Sequence, residues 1–382
     1  MYTEQDFEDI RPYNDDEINP ALHRIVNVPE FSKVLEYIFP DRNKEDIIAE
    51  LKGIHSAIDF QKQFMHPLVN SIVRKTSKGL TYNGFDLLVP GTPYLFVSNH
   101  RDIVLDSAIL QVLLFDNGHL SSEITFGSNL MSNPFIVDFG KINRMFTVYR
   151  GGNRMEMFRN SQILSSYIRH TITRKRTSAW IAQRNGRTKD GNDKTETGLL
   201  KMFNISGGDS FEKSFSELNI VPLSISYEYE PCCALKVKET SVVLKGLTYQ
   251  KAPNEDFMSI LTGITSQKGH IHLSIGHPVN TFLKVTGETT VFNDKINKLA
   301  TLMDDEIYRN YRLWPNNYIA FDRLNNSKAY SRFYTAADEA DFDQYVIREL
   351  SALNLNAPEY VEILFKIYAN PVVNGRKGLG IG

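Results

Sequence analysis

The stretch Phe96-Val-Ser-Asn-His100-Arg-Asp102-Ile-Val-Leu-Asp106 sets a histidine where an apolar, strand-like run ends, with two carboxylates within six residues of it. A neutral imidazole beside a carboxylate can take a proton from an alcohol, because the carboxylate fixes the ring tautomer and stabilises the imidazolium that forms. Either Asp102 or Asp106 suits that partnership. Two later segments, Phe146-Thr-Val-Tyr-Arg150-Gly-Gly-Asn153 and Trp180-Ile-Ala-Gln-Arg184-Asn185-Gly186-Arg187-Thr188, end apolar runs with arginine beside glycine. A guanidinium offers phosphate a planar fork of donors, and a glycine lets backbone N–H groups approach as well. Arg150 and Arg187 are therefore candidates to hold one phosphate near His100. The plain structural alternative is a strand-end histidine and two glycine turns with solvated arginines.

Charge sharpens the choice. The chain carries a net −2 over 382 residues, yet residues 141–189 contain twelve Lys and Arg against one acid, Glu156, a local +11. Such a block implies an anionic partner: a phosphate substrate, an acidic carrier, a lipid headgroup surface or nucleic acid. Its arginines are not interleaved with an aromatic platform, which disfavours nucleic acid. Arg169, Arg174, Lys175 and Arg176 suit docking to a carrier, coenzyme A phosphates or a membrane better than they suit chemistry. His270, His272 and His277 lack the carboxylate or Cys neighbours of a metal site, and no metal is expected. The adjacent Cys232 and Cys233 are expected to pack, unbridged, in a reducing compartment. Serine-nucleophile elbows, phosphate-binding loops and dinucleotide fingerprints are absent.

These side chains need a framework. With 42% hydrophobic and 23% charged residues the chain reads as globular. Short β-branched and aromatic runs at Leu80–Tyr82, Tyr94–Val97, Ile124–Phe126, Phe146–Tyr149, Ala179–Ala182, Ile220–Tyr227 and His270–Ile275 predict strands. Helical periodicity is read over Asn43–Lys75 with an interruption at Pro67, at Ser107–Phe115, over Met155–Arg174, beyond Asp294, and in one piece through Tyr345–Tyr368. Strands alternating with helices predict an α/β fold, a mixed sheet covered by helices on both faces. The expected layout is a helical N-terminal region at 1–78, a catalytic domain at 79–285 and a helical C-terminal extension at 286–382. No spanning helix or export signal is read, so a cytoplasmic location is expected.

Taken in order, four blocks resemble the signatures of the glycerolphosphate acyltransferase family: Ser98-Asn-His100-Arg-Asp102 with Asp106, Phe146 to Arg150, Trp180 to Thr188, and Ile220-Val-Pro222-Leu-Ser-Ile-Ser226. The likeness covers about residues 65–280. Two departures stand out: five residues rather than four separate His100 from Asp106, and Asn185 stands where the family carries glutamate. The resemblance implies a glycerol-3-phosphate acyltransferase-like fold and an O-acyltransferase that moves a fatty acyl group from acyl-CoA or acyl-carrier protein to glycerol 3-phosphate or lysophosphatidic acid. His100 and Asp106 would be catalytic; Arg150, Asn185, Gly186, Arg187, Thr188 and Arg101 would bind substrate. No cofactor beyond the donor thioester is implied, and peripheral contact with the anionic inner face of the cell membrane is expected. The alternatives are acylation of another polar lipid precursor, such as an amino-acid lipid, and a catalytically weak lipid or acyl-carrier binding protein.

Overall fold

The structure, a computed structural model, describes residues 2–131, 133–284, 290–355 and 357–378. The expected boundary at 285/286 lies outside the described residues. Seven strands form one sheet: β1 (Gly79–Asn83), β2 (Leu95–Ser98), β3 (Glu123–Gly127), β4 (Met145–Val148), β5 (Ala179–Ala182), β6 (Ile220–Tyr227) and β7 (His270–Ile275), in the order β1-β7-β6-β2-β5-β3-β4. The five strands from β6 to β4 run parallel, and only the β6–β7 pair is antiparallel. The carboxyl ends of β2 to β6 therefore share one edge, where open α/β sheets place their ligands.

Period-two alternation assigns each face its own core. Phe96, Trp180 and Val221 join one cluster with the helices that precede the sheet, α1 (Asp15–Ile25), α2 (Pro29–Ile38), α3 (Lys44–Lys52), α4 (Ala57–Phe60) and α5 (His66–Thr76), and with α6 (Leu105–Asp116) and α7 (Pro134–Ile142). Leu95, Val97 and Ile181 join a second with α8 (Arg154–Thr173), α9 (Thr197–Ile205), α10 (Phe211–Ser216) and, beyond α11 (Cys233–Leu244) and α12 (Glu255–Thr265), α13 (Phe292–Asn310). A third cluster is built from α11 with α14 (Pro315–Leu324), α15 (Ala336–Ser351) and α16 (Pro358–Gly378).

Two helical expectations are corrected. The break at Pro67 does not occur there: a π-turn at Gln61–Met65 comes first, and Pro67 sits in the opening turn of α5, where its missing N–H breaks no intrahelical bond. The single piece read through Tyr345–Tyr368 is two helices, α15 and α16, because Asn354 turns left-handed at φ +55° after the end of α15 and Pro358 opens the second helix. Among the described residues no helix is long and apolar enough to cross a membrane.

Candidate active site

Two residues past β2 the chain turns, and the turn is fixed by carboxylates. Asp102 Oδ1 accepts the Val104 and Leu105 N–H groups at 2.9 and 2.8 Å, satisfying the free donors at the start of α6. That is a capping role, and it answers the choice between the two acids. His100 Nδ1 lies 2.8 Å from Asp106 Oδ2, which also accepts the Arg101 and Asp102 N–H groups at 2.6 and 3.0 Å. The two extra backbone donors show how the chain accommodates five intervening residues: the loop wraps around the carboxylate. Asp106 Oδ1 accepts the Tyr227 hydroxyl at 2.8 Å. A carboxylate can only accept these bonds, so Nδ1 carries the proton and Nε2 is left as the imidazole acceptor. The ring packs edge-on against Trp180 and lines a cavity of about 620 Å³.

Tyr227, at the end of β6, was not legible as a site residue; only its place directly after the fourth block, which ends at Ser226, hints at it. It is fully buried, and burial followed by the nearby Asp106 charge pushes its ionisation well above the usual phenol range, so it remains a donor. Tyr227→Phe removes one hydrogen bond to the Asp106 carboxylate, worth about 1.5 kcal/mol, and should lower kcat roughly tenfold at unchanged KM. Equal losses in kcat and in urea midpoint for an unrelated core variant would show the effect to be mere destabilisation.

The β5 loop is tied to the histidine turn by backbone: the Thr188 N–H donates to the His100 carbonyl at 2.9 Å, and the Gln183 N–H to Ser98 O at 2.8 Å. Asn185, Gly186 and Arg187 thereby line the same cavity as His100, and Arg150 joins them from the end of β4. Gly186 adopts φ +78°, a left-handed turn that a side chain would strain, and the space its Cβ would take is open. Arg187 is 8% exposed; its Nη1 has no partner among the described residues. Its guanidinium lies against the Cys232 thiol, whose ionisation burial opposes, and within electrostatic reach of Asp102 and Asp256. Arg150 is exposed at the mouth and Asn185 is exposed beside it. Arg184, not singled out as a ligand from sequence, lines the cavity with its Nε buried and unpartnered among the described residues. Lys189 pairs with Glu239 at 2.5 Å, and its ammonium is pushed down to about 8 chiefly by burial, then by Arg187.

Two expected ligand residues stand apart from the cavity. Thr188 is fully buried, its hydroxyl 3.2 Å from Asp190. Arg101 is fully buried beneath the histidine turn, held by Asp193 and, at 3.1 Å, by Glu230, with Tyr311 under its guanidinium. Lys236 completes the cluster, reaching Glu230 at 2.5 Å and the Arg101 carbonyl at 2.8 Å. Two cations meet two anions with no solvent, so Arg101 anchors the turn to α11 and α13 and does not face a ligand. The basic block also divides. Lys175 is paired with the buried Glu123, Arg169 with Glu217 at 3.0 Å, and Arg144 donates to Ser121 O at 2.8 Å. Lys175 and Arg169 are thus structural ties, which the linear charge count could not distinguish from free cations.

No protein-family model matches the chain, and no curated protein matches it. Among solved structures the chain is similar to the 1-acyl-sn-glycerophosphate acyltransferase of Thermotoga maritima, with 11% identity and a TM-score of 0.40 over 75% of this chain and 92% of that one.

Proposed function

We propose that the protein is an O-acyltransferase that moves a fatty acyl group from the thioester of acyl-CoA or acyl-carrier protein to the hydroxyl of a glycerol-phosphate acceptor. The observation that carries this reading is the His100–Asp106 pair lining one cavity with a buried arginine, Arg187, whose Nη1 is unpartnered among the described residues. A buried guanidinium left short of acceptors is satisfied by an anionic ligand, and phosphate supplies acceptors in the matching geometry. In the proposed step Nε2 of His100 takes the acceptor hydroxyl proton while that oxygen attacks the thioester carbonyl carbon. The C–S bond then breaks, and the proton passes from the imidazolium to the departing thiolate. Asp106, held by three further donors, stabilises the imidazolium throughout. Asn185 adds a neutral polar side chain at the mouth. Incubating purified protein with labelled acyl thioesters and a panel of glycerol 3-phosphate, lysophosphatidic acid and amino-acid lipid acceptors tests the reading. Transfer only to the amino-acid lipid would replace the acceptor class, and transfer to none would favour a binding protein.

Arg187→Lys keeps the charge but loses the planar fork. The acceptor KM should rise about tenfold or more with little change in donor KM, the loss expected for a charge-assisted bond pair. An unchanged acceptor KM in steady-state kinetics would remove Arg187 from the phosphate site.

A further inference from the structure

Every residue from Tyr149 to Arg159, covering the β4–α8 turn and the opening of α8, is exposed. Within it Tyr149, Met155, Met157 and Phe158 are 45%, 82%, 54% and 58% exposed, interleaved with Arg150, Arg154 and Arg159. This corrects the expectation that no exposed aromatic alternates with the block's arginines; two of the four are methionines, which give a base no ring to stack on. At 100° per residue, Arg154, Met155, Met157 and Phe158 share a sector of about 160° on α8. Met157 at one margin of that sector lines the cavity, so the apolar stripe is continuous with the site's mouth. The segment's one acid, Glu156, is turned back onto the Asn153 N–H at 2.8 Å to close a capping box; Asp6 lies within electrostatic reach of Arg159 and Asp256 within reach of Arg150, and neither acid makes an ion pair with them. Neither Arg154 nor Arg159 makes a side-chain ion pair or hydrogen bond among the described residues. On the neighbouring α12, Phe257 and Met258 are 49% and 54% exposed, directly after Asp256, which lines the same cavity.

We propose that this face docks on an anionic lipid surface, with Met155 and Phe158 entering the boundary of the acyl chains and Arg154 and Arg159 at headgroup level. Large unbranched and aromatic side chains alternating with unpaired arginines match such an interface, which takes apolar groups below and cations above without a shaped pocket. A second copy of the chain fits less well, because a two-fold contact sets the same patch against itself and would bring these arginines face to face. The charge is local, since the whole chain is net −2. The proposal stands on the surface alone and does not depend on the acyl-transfer reading.

Sedimentation with phosphatidylcholine vesicles made with and without phosphatidylglycerol tests it. The full-length chain should sediment with the anionic vesicles and only weakly with neutral ones. Met155→Glu combined with Phe158→Glu, and separately Arg154→Glu combined with Arg159→Glu, should each lower partitioning about tenfold or more at unchanged circular dichroism, since each basic residue near such a surface contributes on the order of fivefold. His100→Ala should sediment like the unaltered chain, which separates docking from chemistry. Failure of the unaltered chain to sediment, or variants that sediment equally well, would overturn the proposal. So would light scattering showing a dimer that the Met155/Phe158 variant dissociates without any vesicle binding, or retention on an acidic acyl-carrier protein in its place.

Discussion

His100→Ala is expected to lower acyl-transfer turnover by about 100-fold or more, the usual contribution of a positioned general base, while the far-ultraviolet circular dichroism stays unchanged. The ring is 13% exposed and lines the cavity, so its removal leaves a gap that water can fill and costs little packing. Asp106→Asn should reduce turnover comparably, because an amide in that position can donate to Nδ1 and so favours the wrong tautomer. Asp102→Asn should spare turnover, since Asp102 makes no bond to the histidine, and should cost little stability, since the amide oxygen can accept the same two N–H groups that Asp102 Oδ1 accepts at the start of α6. Single-turnover kinetics of the three variants, read beside their urea midpoints, separates the roles. A larger turnover loss in Asp102→Asn than in Asp106→Asn would refute the assignment of the histidine's partner.

Arg101→Met should be the most destabilising single change in the site region, by about 3–5 kcal/mol, because it strands the buried carboxylate of Asp193 without a cation and leaves Glu230 with Lys236 alone. Burial already holds the Asp193 carboxyl above its ordinary value, with Arg101 the main opposing influence. Without the guanidinium that carboxyl rises further. The folded variant then holds a proton that the unfolded chain has released, so its stability is greatest below the ordinary carboxylate range and falls as pH rises through the raised value. The deficit against the unaltered chain should therefore be larger at pH 8 than at pH 5, and adding Asp193→Asn should recover part of it. Urea unfolding at the two pH values checks this; a deficit independent of pH would show that Arg101 contributes packing alone.

How much of this was legible in the sequence differs by kind of residue. All seven strands sit where β-branched and aromatic runs placed them; for the central ones this is because a strand buried on both faces has to be apolar at nearly every position, and Leu95 to Ser98 and Ile220 to Tyr227 are buried throughout, whereas the edge strand β1 has no buried residue. Periodicity placed α8 at Met155–Arg174, one residue late at each end, and its start at Arg154 is set by the capping box of Asn153 and Glu156, a local device that works at a spacing of three. Strand order was not legible. Nothing local sets β5 between β2 and β3 with β4 beyond, the parallel pairing that gathers the carboxyl ends of β2, β4 and β5 at one edge, or brings β7 between β1 and β6.

The same division holds at the site. The sequence supplied residue types and short spacings: a histidine with acids two and six residues on, and arginines beside glycine. The residues alone left Asp102 open beside Asp106, because both are within loop reach of the ring, and only the family resemblance favoured Asp106; the hydrogen-bond geometry of the turn pairs Asp106 with the histidine. Nor could it tell which cations of the 141–189 block face solvent. Lys175 and Arg169 look like Arg154 and Arg159 in a linear count, yet Glu123 and Glu217, more than 40 residues away in the chain, neutralise the first two and leave the last two exposed. Arg101, three residues from β2 and next to the histidine, reads as a ligand from its neighbours. Asp193, Glu230 and Lys236 arrive from two later segments and bury it. A charge's role is set by what surrounds it in space, and for buried ions those surroundings are assembled only by the tertiary fold.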